Sequence, residues 1–361
     1  MTARYDAEPG MLAQLLASWG EPRFRARQVW DALYRQRRPL EDATDVPSAL
    51  RERLAAVFPV SLQPVSDQRD RADGTRKWLW TGTDGAQLET VLMSYAKRAT
   101  VCVSSQAGCA MGCTFCATGQ AGFERHLTAG EIIEQVLRAG RASEQRISNV
   151  VYMGMGEPLA NFDEVWRSVE RLHGDLGISA RHLTISTVGV VPGIRRLAET
   201  DLPVTLAVSL HAADDGLRDR LVPLNARYPL AEVLDAACDY SLTHGRRVTF
   251  EYACIADVND GPDQAERLAG LLGDFPGAGG AHVNLIPLNP TASYTGHKAA
   301  PERVQHFADV LMRAGIQATV RKNRGTAIDA ACGQLRSRSD AAGARDGVAP
   351  ADPPTSDRMS P

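Results

Sequence analysis

The chain has 361 residues, 44% of them hydrophobic, enough for a sizeable core and, by length, for one large domain with a smaller companion. Its formal net charge is −3, so any contact with a polyanion must come from local basic patches. No apolar run is long enough to span a bilayer, and the start M-T-A-R-Y-D-A-E lacks the apolar stretch of a signal peptide. This predicts a cytosolic protein with no membrane partner. Its cysteines number seven, and in a reducing compartment an odd, clustered set favours metal binding or catalysis over a disulfide framework.

Residues 1 to about 95 read as a unit apart. From Met11 to Phe58, apolar positions recur at helical spacing, and Pro22, Pro39 and Pro47 divide the stretch into three short helices. R-K-W-L-W-T and Q-L-E-T-V-L-M-S-Y follow, separated by an Asp84–Gly85 turn, which predicts a β-hairpin. From Ala99 onward strands alternate with helices. The predicted strands are Thr100–Ser104, Asn149–Met153, His182–Thr187, Val204–Leu210, Val248–Cys254 and His282–Leu288. One intervening helix opens with the capping box T-A-G-E from Thr128 and closes at Gly140; another opens at Asn161. A later one runs from Pro301 to Gly315. This is the grammar of parallel βα units, an α/β fold with a closed or partly closed barrel whose chemistry sits at the C-terminal strand ends. Residues 337–361, rich in Pro, Asp, Ser and Ala without periodicity, read as a disordered tail.

After the first of these strands comes C-A-M-G-C-T-F-C, placing Cys109, Cys113 and Cys116 in one loop. Closed metal sites take four protein ligands, so three thiolates suggest a cluster with an open corner. The plainer alternative is a structural zinc completed by Cys102 or His126. The spacing resembles the radical S-adenosylmethionine superfamily signature, in which three cysteines hold a [4Fe-4S] cluster and its open iron binds S-adenosylmethionine. Phe115, before the third cysteine, fits that habit. One unit later stands M-G-M-G-E-P-L, where Gly156 permits close backbone approach and Glu157 offers an acceptor to an ammonium group. It resembles the glycine–glutamate motif of the same superfamily. Ser186, then Ser209, Leu210 and His211, and finally Asn289 mark the ends of later strands, placed to bind the ribose and carboxylate of that cofactor. Cys238 and Cys254 read as packing. Cys332, with Arg321, Lys322 and Arg324 before it and Gly333 after, reads as a mobile electropositive segment able to stabilise a thiolate.

The runs L-E-T-V-L, C-V-S-S-Q-A-G-C-A-M-G-C-T-F-C-A-T-G, M-G-M-G-E-P-L, H-V-N-L-I-P-L-N-P and A-I-D-A-A-C-G-Q-L resemble the RlmN family, from about residue 8 to 336. Departures such as Ala160 and Thr326–Ala327 touch no proposed catalytic group. The resemblance implies a partial (β/α)6 TIM-like radical S-adenosylmethionine barrel over residues 96–336. It also implies an N-terminal helical accessory domain with the hairpin, residues 1–95, that helps bind RNA through Arg23, Arg25, Arg27, Arg35, Arg37 and Arg38. The implied activity is methylation of C2 of a specific adenosine in the peptidyl transferase centre of 23S rRNA, and of the adenosine 3′ to the anticodon in tRNAs. Two molecules of S-adenosylmethionine are consumed. One methylates Cys332; the second yields the radical that activates the S-methyl group for attachment to C2. Cys102 then resolves the RNA adduct through a transient disulfide with Cys332, and Glu89 accepts the C2 proton. A flavodoxin-type electron donor and a monomeric state are also implied. The alternatives are methylation at C8, as in the relative Cfr, a radical-generating activase for another protein, and a zinc-stabilised RNA-binding protein.

Overall fold

A computed structural model of the protein describes residues 2–291 and 293–335. The tail expected over residues 337–361 lies outside them. Three helices open the chain, α1 Pro9–Ser18, α2 Phe24–Tyr34 and α3 Ser48–Val57, divided where the prolines predict. Strands β1 Leu62–Arg69, β2 Arg76–Gly82 and β3 Gln87–Tyr95 form an antiparallel meander. Gly85 makes the β2–β3 turn at φ 89°, a conformation glycine adopts without strain.

The core continues with β4 Arg98–Cys102, β5 Gln106–Gly108, α4 Ala117–Ala121, β6 Phe123–His126, α5 Ala129–Arg141 and β7 Ile147–Tyr152. Then follow α6 Phe162–Gly174, β8 Leu183–Thr187, α7 Val191–Ala198, β9 Thr205–Ser209, α8 Asp215–Leu221 and α9 Leu230–His244. The last elements are β10 Thr249–Cys254, α10 Pro262–Leu272, β11 His282–Pro287, α11 Pro301–Arg313 and β12 Gln317–Val320. Among the described residues, ten strands make one sheet in the order β1-β2-β3-β4-β7-β8-β9-β10-β11-β12. All six strands expected from the sequence are present, parallel and adjacent. The sheet keeps two edges, β1 and β12, so the barrel is partial.

Strands β7 to β11 are apolar because helices cover their outer face and side chains fill the inside; Val150, Leu183, Ile185, Leu206, Val208, Phe250 and Val283 have no exposed surface. Helix α5 has the predicted capping box, Thr128 accepting from the Glu131 N–H at 3.1 Å and Glu131 returning the contact. Asn161 does not cap α6. Its amide instead donates to Ser105 O (2.9 Å) and Leu127 O (2.8 Å), tying that helix start to the loop below the cysteines. The hairpin is continuous with the core, since β3 pairs with β4 from Val91↔Cys102 to Tyr95↔Arg98. Among the described residues no helix is long and apolar enough to cross a membrane.

Candidate active site

Nearly every residue singled out in the sequence sits at or just past the C-terminal end of a strand. Cys102 ends β4, Gly156 and Glu157 follow β7, Ser186 and Ser209 lie at the tips of β8 and β9, and Asn289 follows β11. One cavity collects Cys109, Cys113, Cys116, Gly156, Glu157, Ser186, Ser209, His211, Asn289 and Cys332 in its wall. Leu210 is not in that wall; its side chain is in the core and its N–H donates to Glu251 O at 3.0 Å. A second cavity, adjoining at Cys332, holds Cys102 with Arg321, Lys322, Arg324 and Tyr95. Glu89 is in neither wall. It is 4% exposed on β3 and ion-paired with Lys77 at 3.0 Å, not the solvated hairpin residue its local sequence suggests.

The cysteine loop is held at several points. Cys109 N donates to Gly122 O (2.7 Å) and Thr114 N to Leu221 O at the end of α8 (3.1 Å). Phe115 packs edge-on against His211, ring centres 4.8 Å apart. Burial pushes the Cys109 thiol up to about 12 and raises Cys113 further, with the neighbouring thiols adding to the effect. Such thiols stay protonated until a metal displaces the proton. Among the described residues no three His, Cys, Asp or Glu gather about a single ion. Cys102, in the other cavity, and His126, whose Nδ1 meets the Gln106 amide at 3.0 Å, do not complete a zinc site. Three free thiols lining one cavity, Cys113 buried and Cys109 and Cys116 half-buried, fit a [4Fe-4S] cluster.

Glu157 is buried, and burial raises its carboxyl to about 7 against the pull of its hydrogen bonds. Oε1 accepts from Leu159 N (3.0 Å) and Oε2 from Val188 N (2.9 Å), and the Thr187 side chain also favours the charged form. Gly156, at φ 103°, passes so close to Gln106 that a Cβ would sit 2.5 Å from the glutamine Cβ. Gln106 in turn accepts from Glu157 N at 2.8 Å and fixes the turn. His211 stands in the left-handed region at φ 62°. Its Nδ1 accepts from Ala253 N (3.0 Å), so the neutral ring carries its proton on Nε2 as a donor. Burial, then the nearby Arg218, drives its pKa down to about 3.

Two residues the sequence did not flag support this floor. Arg218 is fully buried and donates to Val188 O (2.6 Å), Leu210 O (3.0 Å), Ser209 O (3.1 Å) and Asn225 Oδ1 (2.7 Å), locking the tips of β8 and β9 together. Burial lowers it to about 10, while Cys113 and two aspartates favour its charge. Glu251, on β10, is the other. Nothing in D-G-L-R-D or F-E-Y distinguishes them locally; a charge inside a strand of otherwise apolar and aromatic residues was the one available signal, for Glu251.

The segment carrying Cys332 is tied down, not mobile. Asn289 Nδ2 donates to Cys332 O (3.0 Å), Ala117 N to Gly333 O (2.8 Å), and Thr118 Oγ1 to Leu335 O (2.6 Å). Lys77 Nζ donates to Asp329 O (3.2 Å) and Gly325 N to Asp73 (3.0 Å) from the hairpin side. Asn289, expected to bind cofactor, thus directs its amide to Cys332 and to Asn323. Cys332 is exposed as a residue, yet desolvation of its sulfur in the cavity raises the thiol against the pull of Arg321, which does not favour the expected thiolate. Arg324 is drawn inward to Asp73 O (2.5 Å) and Ser94 O (2.9 Å), and Arg321 to Glu251 (3.5 Å). All seven cysteines are free thiols, and Cys254 is core packing.

Residues 103–269 match the Radical SAM superfamily model. A probable dual-specificity RNA methyltransferase RlmN of Symbiobacterium thermophilum is 49% identical over 342 residues, covering 92% of this chain and 91% of that protein. The protein of the same name from Salinispora tropica is 52% identical over 336 residues, covering 89% of each. The chain belongs to the RlmN family. A radical SAM methyltransferase of Sphaerobacter thermophilus has the same structure over 94% of this chain and all of its own length, with a TM-score of 0.89 and 46% identity. Membership of the RlmN family makes this an S-adenosylmethionine-dependent enzyme, and the superfamily implies a [4Fe-4S] cluster. The superfamily match begins at Val103 and ends in α10, so Cys102 and Cys332 both fall outside it.

Proposed function

We propose that this chain methylates C2 of an adenine in folded RNA, both 23S rRNA at the peptidyl transferase centre and tRNA 3′ to the anticodon, with Cys332 as the methyl carrier. The observation that carries the reading is the position of Cys332, in the wall of the cavity lined by the three-cysteine loop and also of the cavity lined by Cys102. C2 of adenine is electron-poor and does not attack a methyl sulfonium, so the methyl group needs a carrier that can be activated. Cys109, Cys113 and Cys116 would hold the cluster, and Glu157, Ser186, Ser209, His211 and Asn289 surround the space for S-adenosylmethionine. When bound, the cluster supplies the electron that cleaves S-adenosylmethionine reductively.

The remaining work falls to the protein's own groups. The Cys332 sulfur accepts a methyl group by displacement. After hydrogen removal, the Cys332-bound methylene joins C2. Glu89 takes the C2 proton as the adduct gives up one electron, returned to the bound cluster. Cys102 then attacks the Cys332 sulfur, forming a disulfide and breaking the S–CH2 bond. The electron pair of that bond takes a proton, which completes the methyl group and releases the RNA. Burial pushes the Cys102 thiol up to about 12, which keeps it unreactive until the adduct forms beside it. RNA would be gripped by the N-terminal basic face, where Arg27 and Arg35 flank Asp31 and remain 80% and 67% exposed. Phosphate contacts hold the RNA, and the adenine is unstacked to reach Cys332.

The test is anaerobic reconstitution, transfer to RNA from a deletion strain, and mass spectrometry of the adenosines. The reading expects 2-methyladenosine, lost entirely with Cys332→Ala. The C8 isomer would move the chain to the other regiochemistry, and full activity of Cys332→Ala would reject the carrier.

A further inference from the structure

Glu251 is a buried carboxylate to which the reading above gives no task. It lies mid-strand in β10, 4% exposed, in the wall of the cavity that also contains Cys332. Asn284, its register partner on β11, donates to Oε1 at 2.7 Å. Oε2 is buried and its partner is the Arg321 guanidinium, ion-paired at 3.5 Å, too long for a well-made hydrogen bond. A buried carboxylate oxygen so loosely held keeps an acceptor position open, a seat for a proton. Arg321 follows β12, its N–H anchored on Leu285 O (2.9 Å), and lines the second cavity with both Cys102 and Cys332. The groups that act on the Cys332 sulfur are therefore Arg321, which favours its charge, and Glu251 and Cys116, which oppose it. Those that act on Glu251 are Arg321 and the neutral Asn284. Arg321 also feels Tyr95 and Cys102.

We propose that Glu251 accepts the thiol proton of Cys332 as that sulfur takes its methyl group, with Arg321 as the positioning cation that steadies the carboxylate and offsets the charge forming on sulfur. The proposal rests on the reading of Cys332 as methyl carrier. In the step, the S–H proton moves to Glu251 Oε2 and the freed sulfur pair forms the S–CH3 bond. The methyl–sulfonium bond breaks, and its electron pair stays on the sulfur of S-adenosylhomocysteine. No oxidant or reductant is needed. This proton differs from the C2 proton assigned to Glu89, whose carboxylate is paired with Lys77.

Glu251→Gln and Glu251→Asp, in cluster-loaded enzyme without RNA, test it by peptide mass spectrometry of Cys332 S-methylation. Loss of a general base predicts a rate at least roughly tenfold lower for Glu251→Gln at about pH 7. That rate recovers toward wild type only at alkaline pH above the ordinary thiol range, because this thiol is raised, and Glu251→Asp keeps part of the activity. A second readout is alkylation of Cys332 by iodoacetamide in the absence of S-adenosylmethionine, also expected to slow in Glu251→Gln. If Glu251 is merely a like charge beside the sulfur, removing it speeds both reactions; faster or unchanged rates overturn the proposal. So does a defect in S-methylation that excess S-adenosylmethionine abolishes. If wild-type Cys332 takes no methyl group while Glu251→Gln still slows alkylation, the carrier reading fails and Glu251 stands as the Cys332 base.

Discussion

The two cavities that meet at Cys332 are built from different materials. The cluster-side cavity draws most of its wall from residues 103–269, the part matched to the whole superfamily, and its carboxylates Glu157 and Glu251 are buried, with a neutral imidazole at His211. The thiol-side cavity is walled mostly by β3, Cys102 and the chain from Arg321 to Leu335, outside that match, with Val151 and Met153 from inside it, and it is lined by three cations, Arg321, Lys322 and Arg324. Cys332, the proposed methyl carrier, lies in both walls together with Met153 and Ile286.

The largest effect expected from breaking this partition is at Cys102. Cys102→Ala removes the resolving thiol and nothing from the cluster side. It should stop turnover and leave RNA covalently attached to Cys332, visible as an RNA-bearing band on a denaturing gel. Methylated Cys332 without any adduct would remove Cys102 from the mechanism. Glu89→Gln comes next. Loss of a general base predicts RNA methylation slower by about 10², with S-methylation of Cys332 unchanged. Equal loss in both steps would show that the Glu89–Lys77 pair only supports the hairpin.

Asn289→Ala tests the strap on Cys332 against a role in cofactor binding. Its bond to the Cys332 carbonyl contributes about 1 kcal/mol, so local opening of residues 329–335 should become roughly fivefold easier by hydrogen exchange. A larger change in S-adenosylmethionine affinity than in exchange would restore the cofactor-binding role. The remaining test is at His211, whose folded pKa is depressed. The folded state holds the ring neutral while the unfolded state binds a proton below about 6.5, so stability is full above that pH and falls as acid is added. Between about pH 6.5 and 5 the loss should be about 2 kcal/mol, and His211→Gln should flatten that part of the thermal-unfolding profile. An unchanged acid slope would mean that the ring is not held neutral.

Much of this was legible in the sequence, for identifiable reasons. The six parallel strands announce themselves as apolar runs between capped helices, and the cysteine spacing is a local signal that needs no tertiary knowledge. β1 was missed because Pro64 and a polar, exposed pattern read as loop; it is an edge strand with a register shift beside that proline. β12 was missed because it is four residues long with both polar faces open, again at an edge. Charge alone suggested that the arginines near Cys332 serve its thiolate, but Arg321 and Arg324 find acceptors only through distant chain, Glu251 on β10 and the hairpin side at Asp73 and Ser94. Arg218 is the same lesson, a side chain whose partners are carbonyls on two other loops.

The central claim is that the methyl group passes through Cys332. Deuteromethyl S-adenosylmethionine given to the loaded enzyme, followed by unlabelled cofactor and RNA, tests it directly by mass spectrometry. The account predicts a labelled methyl on the peptide containing Cys332, then its appearance in adenosine with a deuteron lost to hydrogen removal. A fully deuterated methyl on adenosine, with none ever found on Cys332, would contradict it.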